Sequence, residues 1–211
     1  MREIVLDTET TGFEPSEGHR IVEIGAVELI NSLPTGRTYH QYINPERLMP
    51  KEAFDVHGLG DDFLRDKPVF GAVGRAFLDF LGDARLVIHN AGFDIKFLNF
   101  ELERVGLPKL TWDRVTDTLA MARQKFPGAQ ASLDALCRRF GVDNSARQKH
   151  GALLDSEILA EVYLELIGGR QRDFGLSTGA SAGATTGAMD EAAWRPRPRT
   201  VPLPDPMTEA E

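Results

Sequence analysis

Five residues in, the chain turns abruptly from apolar to polar. Arg2–Leu6 is dominated by the branched apolar residues Ile4, Val5 and Leu6 and predicts a buried strand, and Asp7-Thr8-Glu9-Thr10-Thr11-Gly12 follows at once. Thr11–Gly18 carries Gly and Pro and reads as a loop. Arg20–Leu29, with Ile21, Val22, Ile24, Val27 and Leu29, predicts a second strand, and Thr38–Ile43 a third. Three strands in succession point to an antiparallel meander. Met49–Gly58 reads as a loop. The apolar spacing beyond it becomes helical, interrupted by short strands at Leu86–His89 and Val115–Thr118. Phe93, Phe97 and Phe100 mark one face of a helix. Ala152, Leu153, Ile158, Leu159, Val162 and Leu166 mark another, over Ala152–Ile167, stopped by Gly168-Gly169. These elements predict an α/β fold, a mixed sheet flanked by helices.

Acidic residues recur where these elements meet. Asp7 and Glu9 are two positions apart in extended chain, so both side chains point to one face. Side by side at the edge of an apolar sheet they repel, and a hard divalent cation resolves that repulsion. Asp94 falls in the first turn of the Phe93 helix, where the helix dipole favours a carboxylate. Asp155 is placed early in the last helix, and Glu157 points away from its face. Together Asp7, Glu9, Asp94 and Asp155 suit two divalent ions, Mg²⁺ or Mn²⁺. His150 precedes that helix at the end of a polar loop. An imidazole titrates near neutrality, so it suits the task of taking a proton from water. The substrate that fits this set is a phosphodiester. Asp117, between a short strand and Leu119, reads either as a helix cap or as a further ligand.

These three clusters, Asp7–Gly12, His89-Asn-Ala-Gly-Phe-Asp94 and His150–Asp155, resemble the three motifs of the DEDDh branch of 3′→5′ exonucleases. They stand in the same order, and the resemblance runs over about residues 2–168. It implies an RNase H-like fold, two metal ions on the four carboxylates, and His150 as general base. Within the branch the chain is most similar to the proofreading subunits of bacterial replicative polymerases. That similarity also implies that Val56 and His57, in a Val-His-Gly stretch, lie beside the 3′-terminal nucleotide. Thr10, Gly12 and Phe13 are read as further lining of that pocket, with Asn90 orienting the site.

Composition adds a constraint. A chain of 211 residues suits one domain, residues 1–170, with an appendage, 171–211. The single cysteine, Cys137, sits on an apolar helix face and reads as packing. With no signal-like or membrane-length apolar run, the reading is a cytoplasmic protein with no membrane partner. The net charge of −8 is low for an enzyme that grips long nucleic acid by its phosphates. The chain is therefore expected to act on a short single-stranded or frayed 3′ DNA end, or to borrow a partner's hold on DNA. Arg147 and Lys149 flank His150 and either touch phosphates or are solvated loop charges.

The appendage changes character at about Gly175. Ser177–Met189 is Gly, Ala, Ser and Thr, a flexible and disordered linker in this reading. Trp194-Arg-Pro-Arg-Pro-Arg-Thr-Val-Pro-Leu-Pro has the makings of an extended recognition segment. The family resemblance implies that it tethers the polymerase catalytic subunit, which would offset weak intrinsic DNA affinity. Gln171–Leu176 loosely resembles a sliding-clamp-binding peptide. Two alternatives stay open: an RNA-directed member of the same branch, oligoribonuclease or tRNA-trimming in type, and a noncatalytic polymerase accessory module.

Overall fold

The computed structural model describes residues 1–147 and 149–169. The linker, the Trp194 segment, the clamp-like Gln171–Leu176 and the expected disorder of the tail all lie outside the described residues.

Five strands, β1 (Arg2–Thr10), β2 (Ile21–Ile30), β3 (Leu33–Tyr42), β4 (Arg85–Ile88) and β5 (Val115–Asp117), form one sheet in the order β3-β2-β1-β4-β5. The first three are the expected antiparallel meander, and β4 and β5 add in parallel on the other side of β1. Helices α1 (Lys51–His57), α2 (Asp61–Leu64), α3 (Phe70–Leu81), α4 (Ala91–Arg104), α5 (Thr118–Lys125), α6 (Leu133–Phe140) and α7 (Ala152–Leu166) complete the domain.

The pleat of β1 sorts its side chains between two layers. Ile4 and Leu6 join Phe70, Phe77, Phe97 and Leu98 in the core under α3 and α4. Val5 joins Val27, Leu29, Leu159 and Tyr163 under α7. A third cluster holds α5 and α6 against α7 through Ala122, Leu136, Cys137, Ile158 and Val162, so the buried Cys137 is packing. Among the described residues, no helix is long and apolar enough to cross a membrane.

Two expectations are corrected. The first strand does not stop at Leu6: it pairs through to Thr10, with Asp7 opposite Gly25 and Glu9 opposite Glu23, before a register shift between Glu9 and Thr10. The carboxylates therefore lie inside a hydrogen-bonded strand, on backbone paired with β2, while the pairing of β1 with β4 ends at Val5. Residues 51–57 are helix α1, not loop. Its start follows Pro50, its exposed face carries a Lys51–Asp55 pair at 2.6 Å, and it ends on Gly58 in the left-handed region.

Candidate active site

Asp7 and Glu9 come from the C-terminal half of β1, Asp94 from the first turn of α4 and Asp155 from the first turn of α7. Asp7 and Glu9 follow Val5 on the α7 face of β1. Thr8 points to the other face, and its hydroxyl donates to Asp94 Oδ1 at 2.7 Å, fixing the carboxylate of α4's first turn against the strand. Asn90, the cap residue of α4, adopts φ 65°, a left-handed conformation that asparagine tolerates. Its backbone N–H donates to Asp117, which also accepts from Leu119 and Ala120. Asp117 is thus the cap of α5.

The remaining carboxylate comes from α7. Ser156 donates through Oγ to the carbonyl of Gly25 at 3.0 Å, seating the helix on β2 and presenting Asp155 beside Glu9. Ligand atoms of Glu9, His150 and Asp155 all lie within 4.8 Å of one another. Asp7, Glu9, Asn90, Asp94, His150 and Asp155 line one cleft of about 660 Å³. Thr10, Gly12, Val56 and His57 line an adjoining cavity of about 320 Å³, and Glu9 and Phe13 belong to both walls.

The electrostatics of the cleft show carboxylates short of positive charge. Burial, then the charges of Asp94, Glu9 and Asp155, push the Asp7 carboxyl well above its ordinary range. Burial and the Asp155 charge raise Glu9 to about 8. Burial raises Asp94 to about 7 against the Thr8 hydrogen bond. Burial acts upward on Asp155 too, but the neighbouring His150 and the hydrogen bonds and charge of the Arg147 guanidinium hold it below the usual carboxylate range. A hard divalent cation fits this donor set: carboxylate oxygens lining one cleft, with ligand atoms of Glu9, His150 and Asp155 close together, and with Asp7, Glu9 and Asp94 disfavoured as anions by burial.

A pH dependence of stability follows. A carboxyl raised in the fold favours the protonated protein, so its contribution is complete below about pH 4, the unfolded value, and is lost as pH rises through the folded values of about 7 and about 8. In EDTA, the melting temperature is expected to fall on the order of 5 °C between pH 6 and pH 9. Adding Mg²⁺ or Mn²⁺ should restore more at pH 9 than at pH 6. A melting temperature in EDTA that rises over that interval would contradict the electrostatics described here.

Arg147 occupies a place that neither sequence reading foresaw. It is no solvated loop charge: its side chain is only 9% exposed and ion-pairs with both Asp134, at 2.8 Å, and Asp155. Its Nη2 also donates to His150 Nδ1 at 2.9 Å. Lys149 turns away to the Phe54 carbonyl at 3.4 Å. The polar loop of residues 143–149 concealed Arg147, because hydropathy marks such loops as solvated and an arginine can be buried by two carboxylates from flanking helices. Thr8 was missed for a plainer reason: its side chain faces the apolar layer, and its role rests on a residue 86 positions away.

In the smaller cavity, His57 is buried and held down at about 4, chiefly by that burial, so it is neutral. Its Nδ1 accepts from the Leu59 N–H at 3.0 Å, which leaves the ring proton on Nε2. That atom has no hydrogen-bond partner among the described residues.

Comparison with known proteins adds the following. The RNase_T family model, described as exonuclease, matches residues 4–163. The DNA polymerase III subunit epsilon of Rickettsia conorii is 58% identical over 177 residues, spanning 82% of this chain and 77% of that protein. Its counterpart in Escherichia coli (strain K12) is 54% identical over 176 residues, 80% of this chain and 72% of that one. Among solved structures, exonuclease X in complex with 5′ overhanging duplex DNA aligns with a TM-score of 0.61 at 23% identity, covering 78% of this chain and 90% of its own. The nuclease domain of a DEDDh exonuclease bound to rAMP aligns with a TM-score of 0.66 at 22% identity, covering 79% and 91%. At such identities the structural likeness concerns the fold, a mixed sheet of the same kind.

Proposed function

This chain belongs to the exonuclease family and, within it, to the DNA polymerase III epsilon subunits, and we propose that it is the 3′→5′ exonuclease that removes mispaired nucleotides from the 3′ end of DNA for the replicative polymerase. The observation that carries this reading is the convergence of Asp7, Glu9, Asp94, His150 and Asp155 on one cleft beside a cavity fit for a terminal nucleoside.

In this reading Asp7, Glu9, Asp94 and Asp155 hold two divalent ions, Mg²⁺ or Mn²⁺. Ions bound there would supply Lewis acidity, lowering the pKa of a water and offsetting negative charge on the phosphodiester. The protein's own groups do the rest. Thr10, Gly12, Phe13 and Val56 enclose the terminal nucleoside, and His57 Nε2 donates a hydrogen bond to it. Asn90 holds the turn that carries Asp94. His150, its side chain 49% exposed, takes the proton of the attacking water. Arg147 can only donate, so it engages the lone pair on Nδ1 of His150. The imidazole therefore exchanges that hydrogen bond when it acts as base. Hydrolysis releases 5′-mononucleotides. Selectivity comes from fraying: a mismatched end unpairs more readily and reaches the cleft more often.

Residues 1–170 form the exonuclease domain in this proposal, and 171–211 bind the polymerase catalytic subunit, with Gln171–Leu176 a contact for the sliding clamp. The protein works in the cytoplasm.

The test uses 5′-labelled DNA and RNA oligonucleotides with Mg²⁺ or Mn²⁺. Stepwise shortening of DNA from its 3′ end, abolished by EDTA, is expected. Preference for RNA would move the chain to an RNA-trimming role, and no hydrolysis of either would leave an accessory module. His150→Ala should slow DNA cleavage by about 100-fold while Mn²⁺ binding, followed by calorimetry, changes less. A rate within a few-fold of wild type would require a different base.

A further inference from the structure

The larger cleft extends beyond the carboxylates. From Asn90 its wall continues to Leu119 and Arg123 on α5 and to Ser132 at the start of α6. At about 660 Å³ it has twice the volume of the cavity that takes the terminal nucleoside, about 320 Å³. Scission alone needs only the phosphodiester over the carboxylates, so this arm is unused by the reaction as described.

Two arginines line the cleft, and they differ in commitment. Arg147 is buried between Asp134 and Asp155. Arg123 is exposed and makes no ion pair or side-chain hydrogen bond among the described residues, although five carboxylates, Asp7, Glu9, Asp94, Asp134 and Asp155, line the same cleft. In a chain of net charge −8, an unpaired guanidinium in an acidic cleft suits an anionic ligand. Leu119 lies one helical turn before Arg123 on the same face, giving an apolar surface next to the cation. That pairing, apolar surface then guanidinium, matches a nucleoside followed by its 5′ phosphate.

We propose that Leu119, Arg123 and Ser132 form the subsite for the second nucleotide from the 3′ end, with Arg123 binding the phosphodiester one step 5′ of the scissile bond. The inference rests on the exonuclease reading above, and it names residues that hold the strand rather than cleave it. It also reconciles the acidic chain with its substrate: in a chain of net charge −8, one placed cation grips a short end.

The experiment compares two substrates of full-length protein. Thymidine 5′-(p-nitrophenyl phosphate) carries the scissile diester and nothing 5′ of it; the trinucleotide dTpTpT carries the next phosphate as well. For Arg123→Gln, the ratio of kcat/KM on trinucleotide to kcat/KM on ester is expected to fall about five- to tenfold, mostly through KM. The salt dependence of log KM for the trinucleotide should lose about 0.7 of its slope, the signature of one phosphate contact on a single strand. Arg123→Lys should recover that slope. An unchanged ratio, or equal loss on both substrates, overturns the subsite and leaves the exonuclease reading intact. If the wild-type protein cleaves neither substrate, that reading falls and the subsite falls with it.

Discussion

Asp7→Asn is expected to lower the hydrolytic rate by on the order of 1,000-fold, more than the 10–100-fold typical of groups that only orient a ligand, and to raise the melting temperature in EDTA. The two effects share one cause. Asp7 sits mid-strand in β1, where its carboxyl is pushed well up by burial and by the charges of Asp94, Glu9 and Asp155. Without a cation, each charge added to that group works against its neighbours. Asparagine keeps the shape and the strand pairing and removes the charge. A gain of roughly 2–4 °C is expected at pH values where the wild-type carboxyl is ionised, about 1 kcal/mol in a domain of this size, shrinking as pH falls and that carboxyl takes up its proton. Added Mn²⁺ should stabilise the variant less than the wild type. Activity assays and melting curves in EDTA and in Mn²⁺ decide it. A variant that is both inactive and less stable in EDTA would mean that Asp7 is there for the fold.

That opposition between function and stability explains which parts of the site were legible in the sequence. Carboxylates at the end of an apolar run violate the pattern of an ordinary strand, so Asp7 and Glu9 stood out against their surroundings, whereas Asp94, an ordinary first-turn acid by itself, gained weight only from the clusters on either side of it. The meander was legible because β1 and β2 are dominated by branched apolar residues. What stayed hidden obeys ordinary local rules. Asp7–Thr10 looks like a polar turn, yet it continues as strand because β2 supplies partners as far as Ile21. Residues 51–57 look like a loop by hydropathy, and only the placement of Pro50 and Gly58 signals the helix. Arg147 looks like a loop cation, and its burial depends on Asp134 and Asp155, which belong to two different helices. Long-range partners of this kind leave no periodic trace.

Gly25 is the clearest case of a residue whose importance only packing reveals, and Gly25→Ala is expected to damage both fold and site. It lies opposite Asp7 on β2. A Cβ there would stand 2.1 Å from the carbonyl carbon of Ala152 and 2.1 Å from the backbone nitrogen of Leu153, contacts that no side-chain adjustment relieves because both are main chain. The Gly25 carbonyl also accepts the Ser156 hydroxyl, so the first turn of α7 is docked on this one residue. Alanine must push the helix outward, and overpacking of this kind costs about 1–3 kcal/mol, at times more. The expected drop in melting temperature is on the order of 5 °C. The displaced turn carries Asp155 and follows His150, and a misplacement near 1 Å can cost about 100-fold in rate. Activity should therefore fall far more than the folded fraction does, at a temperature where the variant is still folded by circular dichroism. If activity tracked only the loss of folded protein, α7 would be able to shift without disturbing Asp155, and the close approach at Gly25 would matter to stability alone.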